Sequence, residues 1–149
     1  WRERVVLPKL GLGPLIAKVD TGARSAALHA EDIVIRGSQV RFSIPNDGRK
    51  HHYELPIKGQ RRVKSTSGHS EMRAVVETEI AIGLVKFTAE ITLTNRTDMG
   101  VPMLLGRATV RAFARRGARL GSSDHDEVGK HHGASPLSLV AVSIATAQT

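Results

Sequence analysis

The residues best suited to chemistry lie early in the chain, where an apolar run ends in an aspartate. Residues 15–19 read Leu-Ile-Ala-Lys-Val and are followed by Asp20, Thr21 and Gly22. The apolar run predicts a buried strand, and Asp-Thr-Gly is typical of a tight turn that ends one. A carboxylate on such a turn has rigid support yet faces a cleft, as acid–base chemistry requires. The alternative is a surface turn whose aspartate only caps its own backbone.

A second apolar stretch could support this turn. Residues 101–106 read Val-Pro-Met-Leu-Leu-Gly and predict another strand ending in glycine. The pattern over 108–115, directly after Arg107, predicts a short helix.

The Asp-Thr-Gly-Ala sequence and the later Leu-Leu-Gly before a helix resemble the retropepsin-like aspartic peptidases. The resemblance extends to one bacterial branch, often labelled ATP-dependent zinc proteases and associated with the RimK-type ligase that adds glutamates to a ribosomal protein. It covers residues 1–113. The segments that carry it are residues 1–3, 7–8, 17–24, 27–30, 62–63, 68, 93–96, 99 and 102–107.

This resemblance implies a mainly β fold, a small closed β-barrel with one short helix after the last strand. In the family that strand runs behind the catalytic turn, so Leu104, Leu105 and Gly106 are expected to buttress it. We expect a peptidase domain over 1–116 and a variable, partly flexible C-terminal tail over 117–149, where Gly, Ser, Asp and His are frequent. The acidic and apolar ending usual in the family is absent.

One chain supplies one Asp-Thr-Gly, whereas this kind of peptide hydrolysis needs two carboxylates around one water. The resemblance therefore implies a homodimer in which Asp20 meets its symmetry mate. Thr21 would bond across the two turns, and Gly22 would offer its carbonyl to the substrate backbone. The alternative is a non-catalytic retropepsin-like binding module for an acidic protein tail or RNA.

Several residues are expected to contact substrate, among them Ala23 and Arg24, which directly follow the Asp-Thr-Gly turn. Viral retropepsins carry an acid directly after Asp-Thr-Gly-Ala, but here Ala23 is followed by Arg24. Arg24 and Arg107 would favour acidic, glutamate-rich peptides through bidentate hydrogen bonds. An equally weighted alternative is that Arg107 braces the Asp20 turn or a neighbouring loop.

The segment 60–73 has a small-residue tip between extended arms, as a mobile hairpin requires. In the resembled fold a hairpin at this place closes over substrate as a flap. Residues 65–69 would form its tip, with Ser67, Gly68 and His69 near the substrate. An ordinary exposed hairpin is the alternative.

Elsewhere the apolar alternation predicts further strands. A turn is expected through Gly11, Gly13 and Pro14, and a basic loop over 49–52. The remaining predicted strands span residues 4–7, 32–35, 40–44, 53–57, 74–82 and 85–93.

The composition narrows the partners and the compartment. A net charge of +8 favours acidic partners such as RNA, ribosomal surfaces or glutamate-rich peptides, and the alternative is a solvated basic surface with no partner. The family resemblance adds a glutamate-tailed ribosomal protein as a candidate substrate, and nucleic acid is less favoured. The chain has no cysteine, no apolar run long enough to span a membrane and no visible signal peptide, which favours the cytoplasm. No cofactor and no metal site is predicted, because phosphate-loop and His-Glu-x-x-His motifs are missing and the histidine pairs are adjacent.

Overall fold

The computed structural model describes residues 1–64, 67–97 and 100–123. A 3-10 turn (Pro8–Leu10) joins the first two strands, and helix α1 (Arg107–Ser123) follows the last one. In chain order the strands are β1 (Arg2–Leu7), β2 (Leu12–Val19), β3 (Ala26–His29), β4 (Glu31–Arg36), β5 (Gln39–Asn46), β6 (Arg49–Pro56), β7 (Gly59–Lys64), β8 (Ser70–Ile82), β9 (Val85–Thr94) and β10 (Met103–Leu105).

Six strands close into a barrel in the order β1-β2-β10-β3-β9-β8. The ring is completed by the pairing of Val6 in β1 with Ala81 in β8. This architecture confirms the predicted mainly β fold, a small closed barrel followed by a helix. The helix is longer than predicted, since it continues beyond Arg115 to Ser123.

The barrel core is built almost entirely from aliphatic side chains. Strand residues alternate between the core and the opposite face, so that Met103 and Leu105 are buried while Leu104 between them is half-buried. Helix α1 packs against β9, where Phe87 and Phe113 meet edge to face with centroids 6.2 Å apart. The core residues of the barrel include Val5, Leu7, Leu12, Leu15, Ala17, Ala26, Leu28, Val76, Ile80, Ile91, Leu93, Met103 and Leu105.

The predicted turn through Gly11, Gly13 and Pro14 is confirmed only at Gly11, which has a φ of 61°, and it is wrong at Gly13 and Pro14, because β2 already begins at Leu12. Gly13 lies so close to β1 that an added Cβ would stand 2.9 Å from the carbonyl oxygen of Val5. Glycine therefore marks a close approach of two strands here and not a chain reversal.

Strands β4, β5 and β6 form a separate three-stranded sheet. The predicted basic loop over residues 49–52 is wrong, since these residues belong to β6. Asp47 and Gly48, with φ of 53° and 73°, make a two-residue hairpin turn, so no longer loop is needed. The Tyr53 hydroxyl donates to the Leu10 carbonyl at 2.9 Å and ties this sheet to the barrel, and burial raises its pKa.

Strands β7 and β8 form an antiparallel hairpin whose pairing runs from Gly59 with Val75 to Lys64 with Ser70. The β8–β9 pairing begins only at Val75, so the hairpin continues past the barrel wall. The predicted partly flexible tail stays a prediction, because residues 124–149 lie outside the described ranges. Within those ranges no helix has the length and apolar character needed to cross a membrane.

Candidate active site

The turn that carries Asp20 is held by backbone hydrogen bonds to the strand behind it. The Asp20 amide donates to the Leu105 carbonyl at 3.0 Å, and the Ala23 amide closes the turn by donating to the Asp20 carbonyl at 3.1 Å. The Gly22 amide donates to Asp20 Oδ1 at 3.0 Å. This last bond orients the carboxylate in the manner of an Asx turn, so the capping role foreseen as an alternative is also present.

Strand β10 lies between the two strands that flank this turn. It pairs in parallel with β2, placing Leu105 opposite Val19, and antiparallel with β3, placing Leu104 opposite Ala27. Gly106 follows and is buried against the backbone of Ser25, where an added Cβ would stand 2.5 Å from the carbonyl oxygen. Only glycine allows so close an approach.

Arg107 contacts the turn through both its side chain and its backbone. One guanidinium nitrogen donates to the Thr21 carbonyl at 2.8 Å and to the Gly22 carbonyl at 3.2 Å. The Arg107 amide donates to the Ala23 carbonyl, and the next amide donates to the Arg24 carbonyl, both at 2.9 Å. The observed contacts correspond to the bracing alternative for Arg107.

The surface of the turn is open. Thr21, Gly22 and Arg24 are exposed, while Asp20 and Ala23 are half-buried. Within the described residues, no side-chain donor contacts the Asp20 carboxylate, whose hydrogen bond comes from the Gly22 amide. Such a carboxylate can accept a proton or hold a water.

A second aspartate outside a regular backbone conformation behaves differently. Asp32 has a φ of 52°, and its Oδ2 accepts hydrogen bonds from Ser43 Oγ at 2.7 Å and Lys50 Nζ at 3.3 Å. These bonds and the charge of Lys50 lower the pKa of Asp32, and the same carboxylate raises the pKa of Lys50. An open cavity of about 320 Å³ beside it is lined by Asp32, Arg41, Phe42, His52, Tyr53 and Glu54, none of which belongs to the Asp20 turn.

The hairpin expected to act as a flap is present between β7 and β8. Ser67, Gly68 and His69 are exposed at its tip, and Gly68 has a φ of 88°, a conformation that favours glycine. The remaining predicted tip residues, Ser65 and Thr66, lie outside the described part of the chain.

Sequence reasoning missed a polar group at the base of this hairpin. Arg73 is 7% exposed, and its Nε lies 3.5 Å from Glu71 Oε1. Glu71 Oε1 also accepts a hydrogen bond from Thr94 Oγ1 at 3.1 Å. The signal that could have found this pair is its two-residue spacing, which places both side chains on one face of a strand.

Among the described residues, no group of side chains could form a zinc centre such as the one named in the label of the resembled branch. The chain has no cysteine, and its described residues contain no group of three or more His, Asp or Glu side chains able to share a metal ion. His29 is engaged locally, because its Nδ1 accepts the Arg96 amide at 3.2 Å and its Nε2 lies 3.9 Å from Glu31. The pairs around His125 and His131 lie outside the described residues.

Comparison with known proteins gives a consistent family match. A family model described as "RimB-like: Retropepsin-like aspartic endopeptidase RimB" matches residues 1–116. A crystal structure of a protein of unknown function from Legionella pneumophila is similar, with a TM-score of 0.61, 32% sequence identity, and coverage of 74% of this chain and 83% of the other.

Two curated relatives are each named "Probable alpha-L-glutamate ligase". The protein from Parasynechococcus marenigrum (strain WH8102) is 39% identical over 109 residues, which are 68% of this chain and 23% of the relative. The protein from Shewanella pealeana is 37% identical over 113 residues, 70% of this chain and 25% of the relative. The chain thus spans about a quarter of the length of the curated relatives it matches.

Proposed function

Because the chain belongs to the RimB-like family of retropepsin-like aspartic endopeptidases, we propose that it is an aspartic-type endopeptidase that acts as a homodimer. The observation that carries the proposal is the Asp20 turn, whose backbone is anchored to Leu105 and to Arg107 while its carboxylate stays open. A rigid backbone with an accessible carboxylate is the arrangement that acid–base catalysis requires.

The dimer supplies the second carboxylate. Two Asp20 side chains a few ångströms apart share one proton, since two like charges cannot both be held at that distance at low cost. The ionised member takes a proton from the attacking water, and the protonated member polarises the peptide carbonyl. Thr21 and Gly22 are exposed on the same turn, where a second copy can approach them.

For substrate we propose acidic, glutamate-rich peptides. The net charge is +8, and Arg24 is exposed directly after the turn. The names of the curated relatives contain the words alpha-L-glutamate ligase, which supports a substrate that carries added glutamates. The substrate class that we propose includes a glutamate-tailed ribosomal protein. Arg107 contributes indirectly, since its guanidinium holds the turn.

One specific observation favours a second function. The chain matches about a quarter of the length of relatives that are named as ligases. The same fold can therefore serve as a non-catalytic module that holds an acidic protein tail.

The two functions are separated by one comparison on the full chain. The solution mass of the protein and cleavage of a glutamate-rich peptide library are measured for the native protein and for Asp20→Asn. The peptidase proposal requires a dimer and cleavage that Asp20→Asn abolishes. A monomer that binds the peptides without cleaving them supports the binding module instead.

A further inference from the structure

Arg73 is an unusual cation in this protein because its side chain is buried. Its side chain is 8% exposed, whereas the ion-paired side chains of Arg41 and Lys58 are more than half exposed. A buried guanidinium is costly unless its charge and its five donors are matched. Within the described residues its Nε has no hydrogen-bond partner, and the 3.5 Å contact with Glu71 is an ion pair only.

The strand register places Arg73 on the side of the sheet opposite the barrel core. Thr92 in β9 pairs with Val75 in β8. Thr94, two residues after Thr92, and Arg73, two residues before Val75, therefore lie on the same face of the antiparallel pair. The hydrogen bond from Thr94 Oγ1 to Glu71 shows that side chains of both strands meet there. Ile91 and Leu93, which alternate with these threonines along β9, lie on the other face and belong to the core.

The same face continues toward the catalytic turn. Thr92 pairs with Ala27 in β3, and Ala27 pairs with Leu104 in β10. Leu104 precedes Leu105, whose carbonyl accepts the Asp20 amide. By this route β8 lies four strand spacings from β2, about 19 Å if the wall were flat and less in the closed barrel, so the two sites are several residues of an extended peptide apart.

We propose that Arg73 is a specificity-determining residue that binds the carboxylate of an acidic substrate residue lying several positions from the scissile bond. This inference rests on the proposed peptide-binding function of the same site. Glu71 stands in for that carboxylate when the site is empty. Because the Glu71 side chain is about half exposed, it can rotate away from Arg73 when a substrate carboxylate arrives. A substrate carboxylate then takes the donors that Glu71 leaves incompletely bonded.

The test measures binding separately from cleavage. Fluorescently labelled hexaglutamate, with hexaglutamine as the neutral control, is titrated by anisotropy against the full chain carrying Asp20→Asn, which binds without turnover. We expect hexaglutamate to bind at least tenfold more tightly than hexaglutamine. Adding Arg73→Gln should weaken hexaglutamate binding about tenfold and leave hexaglutamine unchanged. Equal weakening of both peptides, or of neither, overturns the proposal.

Matched variants separate recognition from folding. Arg61→Gln removes a half-buried arginine that is the direct strand partner of Arg73 and is already paired with Glu90 at 2.9 Å, and it should change the ratio of the two affinities less than twofold. Where Arg73→Gln unfolds, Arg73→Lys keeps the charge without the bidentate fork and should give a partial, hexaglutamate-specific loss. An equal loss for both peptides from Arg73→Lys refutes the role.

Glu71→Gln changes the affinity for hexaglutamate in opposite directions, depending on whether Glu71 competes with the substrate for Arg73 or only stabilises Arg73. Removal of a competing carboxylate should tighten hexaglutamate binding about threefold, whereas a purely structural ion pair predicts weaker binding. If the native chain does not cleave the peptides but still prefers hexaglutamate in an Arg73-dependent way, the peptidase proposal is wrong while the proposed role of Arg73 stands.

Discussion

Asp20 and Asp32 both lie where the regular backbone is interrupted, and their side chains are held in different ways. At Asp32 one carboxylate oxygen, Oδ2, is bound by other side chains, because Ser43 and Lys50 both donate to it. At Asp20 the backbone is anchored instead, through Leu105, and the carboxylate receives only the amide of its own turn among the described contacts. The comparison shows one carboxylate held by side chains of neighbouring strands and another held only by its own turn, which is the difference expected if Asp32 is structural and Asp20 has the proposed catalytic role.

The strongest test of this comparison exchanges each aspartate for asparagine. Asp20→Asn should lower the kcat for peptide cleavage by about 100- to 10,000-fold, because the group that exchanges a proton with water is removed. Asp32→Asn is the matched control and should cleave normally, since asparagine tolerates a positive φ and keeps an acceptor for Ser43. Loss of activity in Asp32→Asn alone would reverse the assignment of the two carboxylates.

The next test asks how much stability depends on the close approach of Gly106 to the backbone of Ser25. In Gly106→Ala the new methyl group meets the Ser25 carbonyl, so the backbone must shift, and the free energy of unfolding should fall by about 3 kcal/mol. Gly117→Ala in helix α1 is the control. Its nearest neighbour beyond the helix is a Val85 methyl at 3.9 Å, and it should raise the unfolding free energy by up to about 1 kcal/mol. Both are measured by urea denaturation.

Arg107 tests the side-chain part of that anchor. Arg107→Met removes the donor to the Thr21 and Gly22 carbonyls, and we expect about 1–2 kcal/mol of lost stability at this half-buried position. The kcat should fall about tenfold or more, because the turn is less well oriented. Arg116→Met, on the exposed face of the same helix, should change stability by less than about 0.5 kcal/mol. Equal effects of the two variants would argue against a brace.

The smallest effect concerns the charge of Asp32. Its pKa is lowered in the folded protein by the Ser43 hydrogen bond and by Lys50, so folding favours the ionised form. That contribution is present above the unfolded pKa, about 3.9, and is lost as the pH falls through the folded value. The difference in unfolding free energy between the native chain and Asp32→Asn should therefore be constant from pH 8 to 5 and shrink below about pH 4. A difference that grows on acidification would contradict the structural role.

Local sequence patterns predict most of the strands but not which sheet each strand joins. The strands that carry Ile80 and Ile91 follow from apolar alternation, and the Asp20 turn follows from its motif. The same alternation predicts strands over residues 32–35, 40–44 and 53–57, but not their separation from the barrel as a three-stranded sheet. The charge of residues 49–52 predicts a loop, whereas their strand character comes from pairing with β5.

The side-chain contacts of the candidate site are even less accessible to sequence reasoning. The sequence is equally consistent with Arg107 binding substrate and with Arg107 bracing the Asp20 turn. Only the position of the guanidinium beside the Thr21 carbonyl distinguishes the two roles. Arg73 is a cation in a strand, which ordinarily predicts exposure. Its burial depends on how the hairpin arm, Thr94 and Glu71 come together.

The insertion of β10 between β2 and β3 has a consequence for the order of folding. Residues 12–29 are synthesised well before residues 103–105, yet the gap between their two strands is filled only when residues 103–105 become available. Closing such a long-range contact is slow compared with forming local hairpins such as β8–β9. A nascent or truncated chain that lacks β10 therefore cannot anchor the Asp20 turn, so the geometry of the candidate site arises only after nearly the whole barrel has been synthesised.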